Sequence, residues 1–289
     1  MRIVNRSVAL LFFVCIACGL HAQTADTLRV LAIGNSFSED AVEQYLHEMA
    51  EVTGKPLLIG NLYIGGAPLS LHWNNVQSDN AAYSYRKINV DGQKTTTEKV
   101  SIRTALQDER WDYVSLQQAS PLSGQFDTYV RPLKGVYRYV DSVTGGKVRL
   151  IWHQTWAYSP TSTHEGFANY NRDQQTMYRA IMDASAKAKT LMPFNRLIPS
   201  GTAIQNARTA LGDDLTRDGY HLDLHIGRFI AACTWFESLF GEQAPVTKYR
   251  PEQVSEREAQ VAQQAAHAAV QQPFSVTEIA VEEAGEVGR

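Results

Sequence analysis

A short apolar run of β type, residues 28–33, ends at Gly34, and a helical pattern follows it directly. This unit recurs along the chain and constrains its fold more than any other feature. Residues 56–64 are a second strand candidate. Residues 113–116, introduced by Trp111-Asp112, are a third, residues 148–152 a fourth, and residues 197–198 beside Pro199 a shorter fifth. Between them, apolar residues at helical spacing predict helices over 39–52 (Val42, Leu46, Met49), 129–143, 167–191 and 224–240, the last stopped by Gly241. Strands separated by helices pair in parallel, and a parallel sheet must be covered on both faces. The expectation is therefore an α/β fold, a three-layer α/β/α sandwich around a mostly parallel five-stranded sheet in flavodoxin-like order.

Two stretches leave the alternation. Residues 81–101 read as a small polar hairpin around Asp91-Gly92, inserted beside the main sheet. Residues 251–289, after Arg250-Pro251, read as a Gln/Ala/Glu-rich helix followed by an acidic tail. At the other end, Arg2 and Arg6 precede an apolar run over 8–20, and Leu20-His21-Ala22 offers a small residue for cleavage. That run is too short for a membrane span of about 20 residues and reads as a signal peptide covering 1–22. The exported product would be periplasmic or extracellular, and a lipoprotein anchor at Cys18 is the rival reading. Residues 23–250 then form the functional domain. Of three cysteines only Cys233 would survive cleavage, so no internal disulfide is expected. A net charge of −3 gives no basic excess for nucleic-acid binding, and no membrane span is expected in the mature chain.

Residues with chemistry collect where strands end, the edge at which open α/β sheets bind ligands. Ser36 lies in Gly34-Asn35-Ser36-Phe37-Ser38, between the first strand and a helix. It is placed as a nucleophile with amide N–H groups nearby for an oxyanion, or it simply caps the helix. Asp218-Gly219-Tyr220-His221 offers an imidazole base and an acid to orient it, three residues apart. His221 with Asp223 and His225 is also a possible zinc set, but no second ligand cluster supports it, and no metal or other cofactor is expected. Gly65-Gly66, after the second strand, lets backbone approach a substrate. The segment Gly60-x-x-x-x-Gly65 continues with Gly66-Ala67 rather than Lys-Ser/Thr, which argues against a phosphate loop. Gln117 and Gln118 stand at the end of the third strand.

Together, Ser36 in Gly-Asn-Ser-Phe-Ser, Gly66 and Asp218-x-x-His221 resemble blocks one, two and five of the SGNH (GDSL-like) hydrolases, in matching order. Residues 64–73 and 155–158 look like a poorly characterised branch common in gut-dwelling bacteria. The resemblance implies Ser36 as nucleophile, His221 as base, Asp218 as orienting acid, and Ser36 and Gly66 as amide donors of the oxyanion hole. One departure stands out. The family has Gly-x-Asn-Asp in block three, where this chain has Gln117-Gln118-Ala119-Ser120, with Ala119 at the Asn position. Gln118, rather than Gln117, is expected to stand in for that Asn. The implied protein is a secreted serine esterase that removes acetyl or other short acyl groups from a carbohydrate. A lipid esterase and a catalytically weak carbohydrate-binding relative are the alternatives. Its partner is a small-molecule or polysaccharide ester, with Gln117, His72, Trp73, Trp156 and Tyr158 as candidate substrate contacts.

Overall fold

The computed structural model describes residues 26–280. The predicted signal peptide, with Cys15 and Cys18, and the end of the acidic tail lie outside the described residues. Among the described residues, seven strands form one sheet: β1 (Leu28–Gly34), β2 (Leu57–Tyr63), β3 (Tyr83–Ile88), β4 (Lys94–Val100), β5 (Tyr113–Leu116), β6 (Arg149–His153) and β7 (Arg196–Ile198). Their order is β4-β3-β2-β1-β5-β6-β7. The five strands β2-β1-β5-β6-β7 run parallel. Counted among themselves they stand 2-1-3-4-5, the flavodoxin-like order.

The expected count of five is corrected to seven. The stretch read as a separate hairpin joins the sheet, with β3 antiparallel to β2 and β4 antiparallel to β3. Without it, β2 would present a row of unpaired N–H and C=O groups. The new edge, β4, is exposed and carries Lys94, Lys99, Glu98 and three threonines. Charges on an edge strand discourage pairing with another chain.

Nine α-helices accompany the sheet among the described residues: α1 (Ser36–Val42), α2 (Leu46–Val52), α3 (Leu69–Ser78), α4 (Ile102–Asp108), α5 (Val130–Thr144), α6 (Gln174–Leu191), α7 (Ser200–Leu211), α8 (Ile226–Phe240) and α9 (Glu256–Gln271). The single helix expected over 39–52 is two, broken at Tyr45, whose φ is +69°. Tertiary contacts hold that break, since the Tyr45 hydroxyl donates to Leu224 O at 2.9 Å and its ring packs edge-on against Phe229. α7 escaped the periodicity because it has almost no polar face: Ser200 to Arg208 are all buried.

Alternate residues of the strands enter different cores. Val30, Ala32, Leu57 and Ile59 belong to one cluster, with residues of α1, α2, α7, α8 and α9. Leu31, Ile33, Leu58 and Leu62 belong to a second, with residues of α3, α4 and α5. This is the two-residue period of a strand buried on both sides. α9, read from sequence as an appendage, supplies Ala259, Val261, Ala262, Ala265, Ala266 and Ala269 to the first core. No helix among the described residues is long and apolar enough to cross a membrane.

Candidate active site

β1 ends at Gly34, and Asn35 caps α1, its side-chain oxygen accepting from Phe37 N at 3.0 Å. This resolves the two readings of the serines. Ser38 is buried and donates to Asn35 O (2.7 Å) and Asn61 Oδ1 (2.8 Å), while Asn35 does the capping. The Ser36 hydroxyl has no hydrogen-bond partner among the described residues and is only half-buried. Of the two serines it is the one without a structural hydrogen bond among the described residues.

Asn35 also fixes the neighbouring loop. Its Nδ2 donates to Ala67 O at 3.0 Å, which draws the Gly65–Ala67 turn beside the Ser36 turn. β1 and β2 are adjacent, with Gly34 opposite Tyr63, so the two turns leave the same sheet edge. Gly66 is exposed at φ +66°, a backbone conformation that side chains disfavour.

The third segment arrives from the far end of the chain. Asp218 Oδ1 accepts from His221 N (2.8 Å) and Tyr220 N (3.2 Å), closing a tight turn, and Asp218 Oδ2 accepts from His221 Nδ1 at 2.6 Å. Partial burial raises the Asp218 pKa, but the hydrogen bonds from the His221 ring and the two amides outweigh it and leave the carboxyl below its ordinary value. An ionised carboxylate only accepts, so Nδ1 carries a proton, and in the neutral ring Nε2 is the nitrogen with the lone pair. The His221 ring lies edge-on to Phe37, centroids 6.2 Å apart, and Phe37 stacks on Trp156 at 4.1 Å. Ser36 and His221 share no hydrogen bond among the described residues; Phe37, next to Ser36 in the chain, is the packing link between them.

A buried carboxylate locks this arrangement. Asp40, on α1 and 0% exposed, accepts from Arg217 (3.0 Å), from Arg228 (2.6 Å) and from Leu222 N (2.8 Å). Arg217 and Leu222 flank the Asp218–His221 turn, so one side chain on the helix that begins at Ser36 holds the loop of His221.

The comparisons agree with this architecture. The family model described as "Domain of unknown function (DUF4886)" matches residues 29–269. The chain belongs to the DUF4886 family. The crystal structure of a DUF4886 family protein from Bacteroides uniformis ATCC 8492 is 51% identical, with TM-score 0.85 over 88% of this chain and 98% of that one. A candidate SGNH hydrolase from Slackia heliotrinireducens superposes with TM-score 0.52 at 19% identity, over 74% of this chain and 100% of that one. A candidate GDSL-like lipase from Parabacteroides merdae ATCC 43184 gives 0.51 at 12%, over 75% and 97%. The fold of this DUF4886 chain is thus that of SGNH (GDSL-like) hydrolases, as the motifs implied. No curated protein matches it.

Several expected roles are corrected in this DUF4886 structure. Gln118 is 1% exposed; its Oε1 accepts from Leu69 N and Ala119 N, both at 2.9 Å, and its Nε2 donates to Thr128 Oγ1 at 3.0 Å. It ties three loop segments together instead of facing an oxyanion. Gln117 Nε2 donates to Asn35 Oδ1 at 2.9 Å, and its Oε1 accepts from His153 Nδ1 at 2.8 Å. His72, Trp156, Tyr158 and Gln117 are all at most 2% exposed, so they support the site instead of touching a ligand. Only Trp73 among the proposed contacts is half-buried. Asp223 Oδ1 caps α8, accepting from His225 N and Ile226 N, both at 2.9 Å. No group of three or more His, Cys, Asp or Glu side chains among the described residues is placed to hold a metal ion.

The Gln118 correction is testable. Gln118→Ala would leave two buried amides without an acceptor and is expected to destabilise the chain by about 1–3 kcal/mol in urea unfolding, with kcat of the folded enzyme changed less than about tenfold. A loss of about 10²–10³-fold in kcat at unchanged stability would restore Gln118 as an oxyanion donor.

Sequence reasoning missed Asp40, His153 and His164. His153, at the end of β6, is 0% exposed, and its Nε2 accepts from Ser200 Oγ (3.0 Å) and Trp235 Nε1 (3.3 Å). Its place directly after an apolar strand was the available signal. His164 is half-buried beside the site, with its ring against Tyr220 at 4.7 Å. Its Nδ1 accepts from Gly166 N at 3.0 Å, leaving Nε2–H as a donor.

Burial lowers the pKa of His153 to about 3 and that of His72 to about 4. Both rings are neutral when folded, whereas the unfolded chain takes up two protons near the usual histidine value of about 6.5. Stability is therefore expected to fall as pH drops below about 6.5, by on the order of 2 kcal/mol per pH unit near pH 5. Urea unfolding across that range measures the slope, and His153→Gln should remove about half of it. A flat profile in the parent chain contradicts the prediction.

Proposed function

We propose that the chain is an exported serine esterase of SGNH type that removes acetyl or other short acyl groups from a carbohydrate. The observation that carries this reading is the Asp218–His221 pair at 2.6 Å, presenting a lone pair on Nε2 beside the turn that holds the unpartnered Ser36 hydroxyl. His221 takes the Ser36 proton as Oγ adds to the ester carbonyl, and the carbonyl oxygen becomes an oxyanion. The oxyanion hole is assigned to the Ser36 and Gly66 amides, whose turns leave the same sheet edge. As the tetrahedral intermediate collapses, His221 protonates the leaving alkoxide and an acyl-Ser36 ester remains. Water, deprotonated by His221, resolves the acyl-enzyme through the same steps. Asp218 holds the ring in the required tautomer and offsets its charge when it is protonated.

Export is supported by the sequence of residues 1–22 alone. A carbohydrate is supported by that export together with the polar, open surroundings of the turn: Asp218 keeps 39% of its side chain exposed, and Tyr220 and the Nε2–H of His164 stand beside it. The alternative, a carbohydrate-binding relative with weak catalysis, is favoured by Ala119 in the place of the family's oxyanion Asn. Turnover of p-nitrophenyl acetate, followed by acetate release from acetylated glycans, tests the proposal. Both are expected, and Asp218→Asn should lower kcat by about 10²-fold or more with KM within a few-fold. Absence of turnover on every ester would favour the binding relative, and an unchanged kcat in Asp218→Asn would remove Asp218 from the mechanism.

A further inference from the structure

A second concave surface lies on the other core's helices. α3 and α5 pack side by side, and between them runs a groove of about 640 Å³, lined by the apolar Trp73, Val76 and Tyr139 together with the cations Arg131, Lys134 and Arg138. Trp73 reaches into it because α5 has a glycine beneath the ring: a Cβ on Gly135 would stand 2.4 Å from Trp73 Cε3. The three cations are at i, i+3 and i+7, one face of α5, spread over ~10 Å. Arg131 and Arg138 are exposed and Lys134 half-buried. Among the described residues, none of the three pairs with a carboxylate. At the Tyr139 end Arg103 pairs with Asp79 at 3.4 Å, and the Arg103 guanidinium lies 5.6 Å from the Tyr139 ring.

We infer that the α3–α5 groove is a binding site for a carboxylated saccharide segment, separate from the reaction centre. Flat aromatic rings beside guanidinium groups suit the apolar face of a pyranose that carries a carboxylate. Arginine forks pair with carboxylate oxygens, and Trp and Tyr supply the surface against which the ring packs. The chain as a whole is acidic, at −3, so its overall field does not gather polyanions and the attraction is local. Helices that follow parallel strands start at the edge where those strands end. The N-terminal part of the groove, at Arg131 and Trp73, therefore opens toward the edge that carries Ser36, and it runs ~16 Å along α5 from Arg131 to Ser142.

The inference rests on the shape and charge of the groove, not on the esterase reading, and a binding assay on the full chain without turnover keeps the two apart. Of the five tryptophans, Trp111, Trp152, Trp156 and Trp235 are at most 4% exposed, so quenching of tryptophan fluorescence by ligand reports on Trp73. Oligogalacturonate is expected to quench, and uncharged dextran is not. The surface variant Arg131→Gln/Lys134→Gln/Arg138→Gln, with its Tm confirmed, should weaken oligogalacturonate by about tenfold or more. Ser36→Ala should bind as the parent does. Absence of binding, or unchanged binding by the triple variant, overturns the site. Equal or tighter binding of heparin or duplex DNA, lost in the same variant, overturns the carboxylated saccharide as its ligand.

Discussion

Ser36→Ala is expected to fold as the parent chain does and to lose ester turnover by on the order of 10³-fold or more. The expectation is sharp because the structure separates this serine from the structural roles a serine usually takes. Asn35 already caps α1, and Ser38 makes the buried hydrogen bonds of the segment. Removing the Ser36 hydroxyl therefore takes away no hydrogen bond among the described residues, and Tm should stay close to that of the parent. If Ser36 were a cap, the same variant would lose about 1 kcal/mol of stability and keep its activity. Kinetics with p-nitrophenyl acetate and a thermal melt on one preparation separate the outcomes. Parent-like turnover by a folded Ser36→Ala protein ends the nucleophile assignment.

Asp40→Ala should give the largest stability loss of any single replacement near the site. It leaves two guanidinium groups and the Leu222 amide facing a cavity in place of a carboxylate. Breaking a buried ion pair by removing one partner costs about 3–5 kcal/mol. Arg217 keeps 31% of its side chain exposed and can rehydrate, so the lower part of that range, about 3 kcal/mol, is expected. Activity should fall as well, because the same contacts hold the Asp218–His221 turn against α1. Urea unfolding measures the first effect. The second is read as kcat at a temperature where the variant is folded, with the Asp218 and His221 side chains themselves unaltered. An unchanged unfolding midpoint would show that Asp40 does not anchor the loop.

The parallel strands were readable in the sequence because they are buried on both faces and appear as short, mostly apolar runs, as in Val30 to Ile33 and in Tyr113 to Leu116, where only Ser115 is polar. The segments bearing Ser36, Gly66 and Asp218-x-x-His221 were readable for a similar reason. The backbone chemistry of a turn after a strand, and the three-residue reach of an acid to an imidazole, are local properties. What the helical pattern over 39–52 could not contain is its break at Tyr45, since that residue's hydroxyl bonds to Leu224 and its ring to Phe229, far along the chain. Likewise, residues 81–101 have the composition of any polar hairpin, and only the open edge of β2 makes them two strands of the main sheet.

The side-chain roles were decided by tertiary structure for the same physical reason. The sequence favoured Gln118 over Gln117 as a donor to the site but contained none of the partners that either one meets. Adjacent side chains at a strand end point different ways, so Gln117 meets Asn35 and His153 while Gln118 meets Leu69 and Thr128. Asp40 reads as one more acid in a helix's polar face until Arg217 and Arg228 arrive from 177 and 188 residues away. The sequence alone thus specified the parallel strands and the turns that follow them, because these depend on short-range periodicity and local backbone chemistry. Which polar side chains hold those turns together, and which are left without a hydrogen-bond partner, depends on residues distant in the chain, and only the folded structure assigns them.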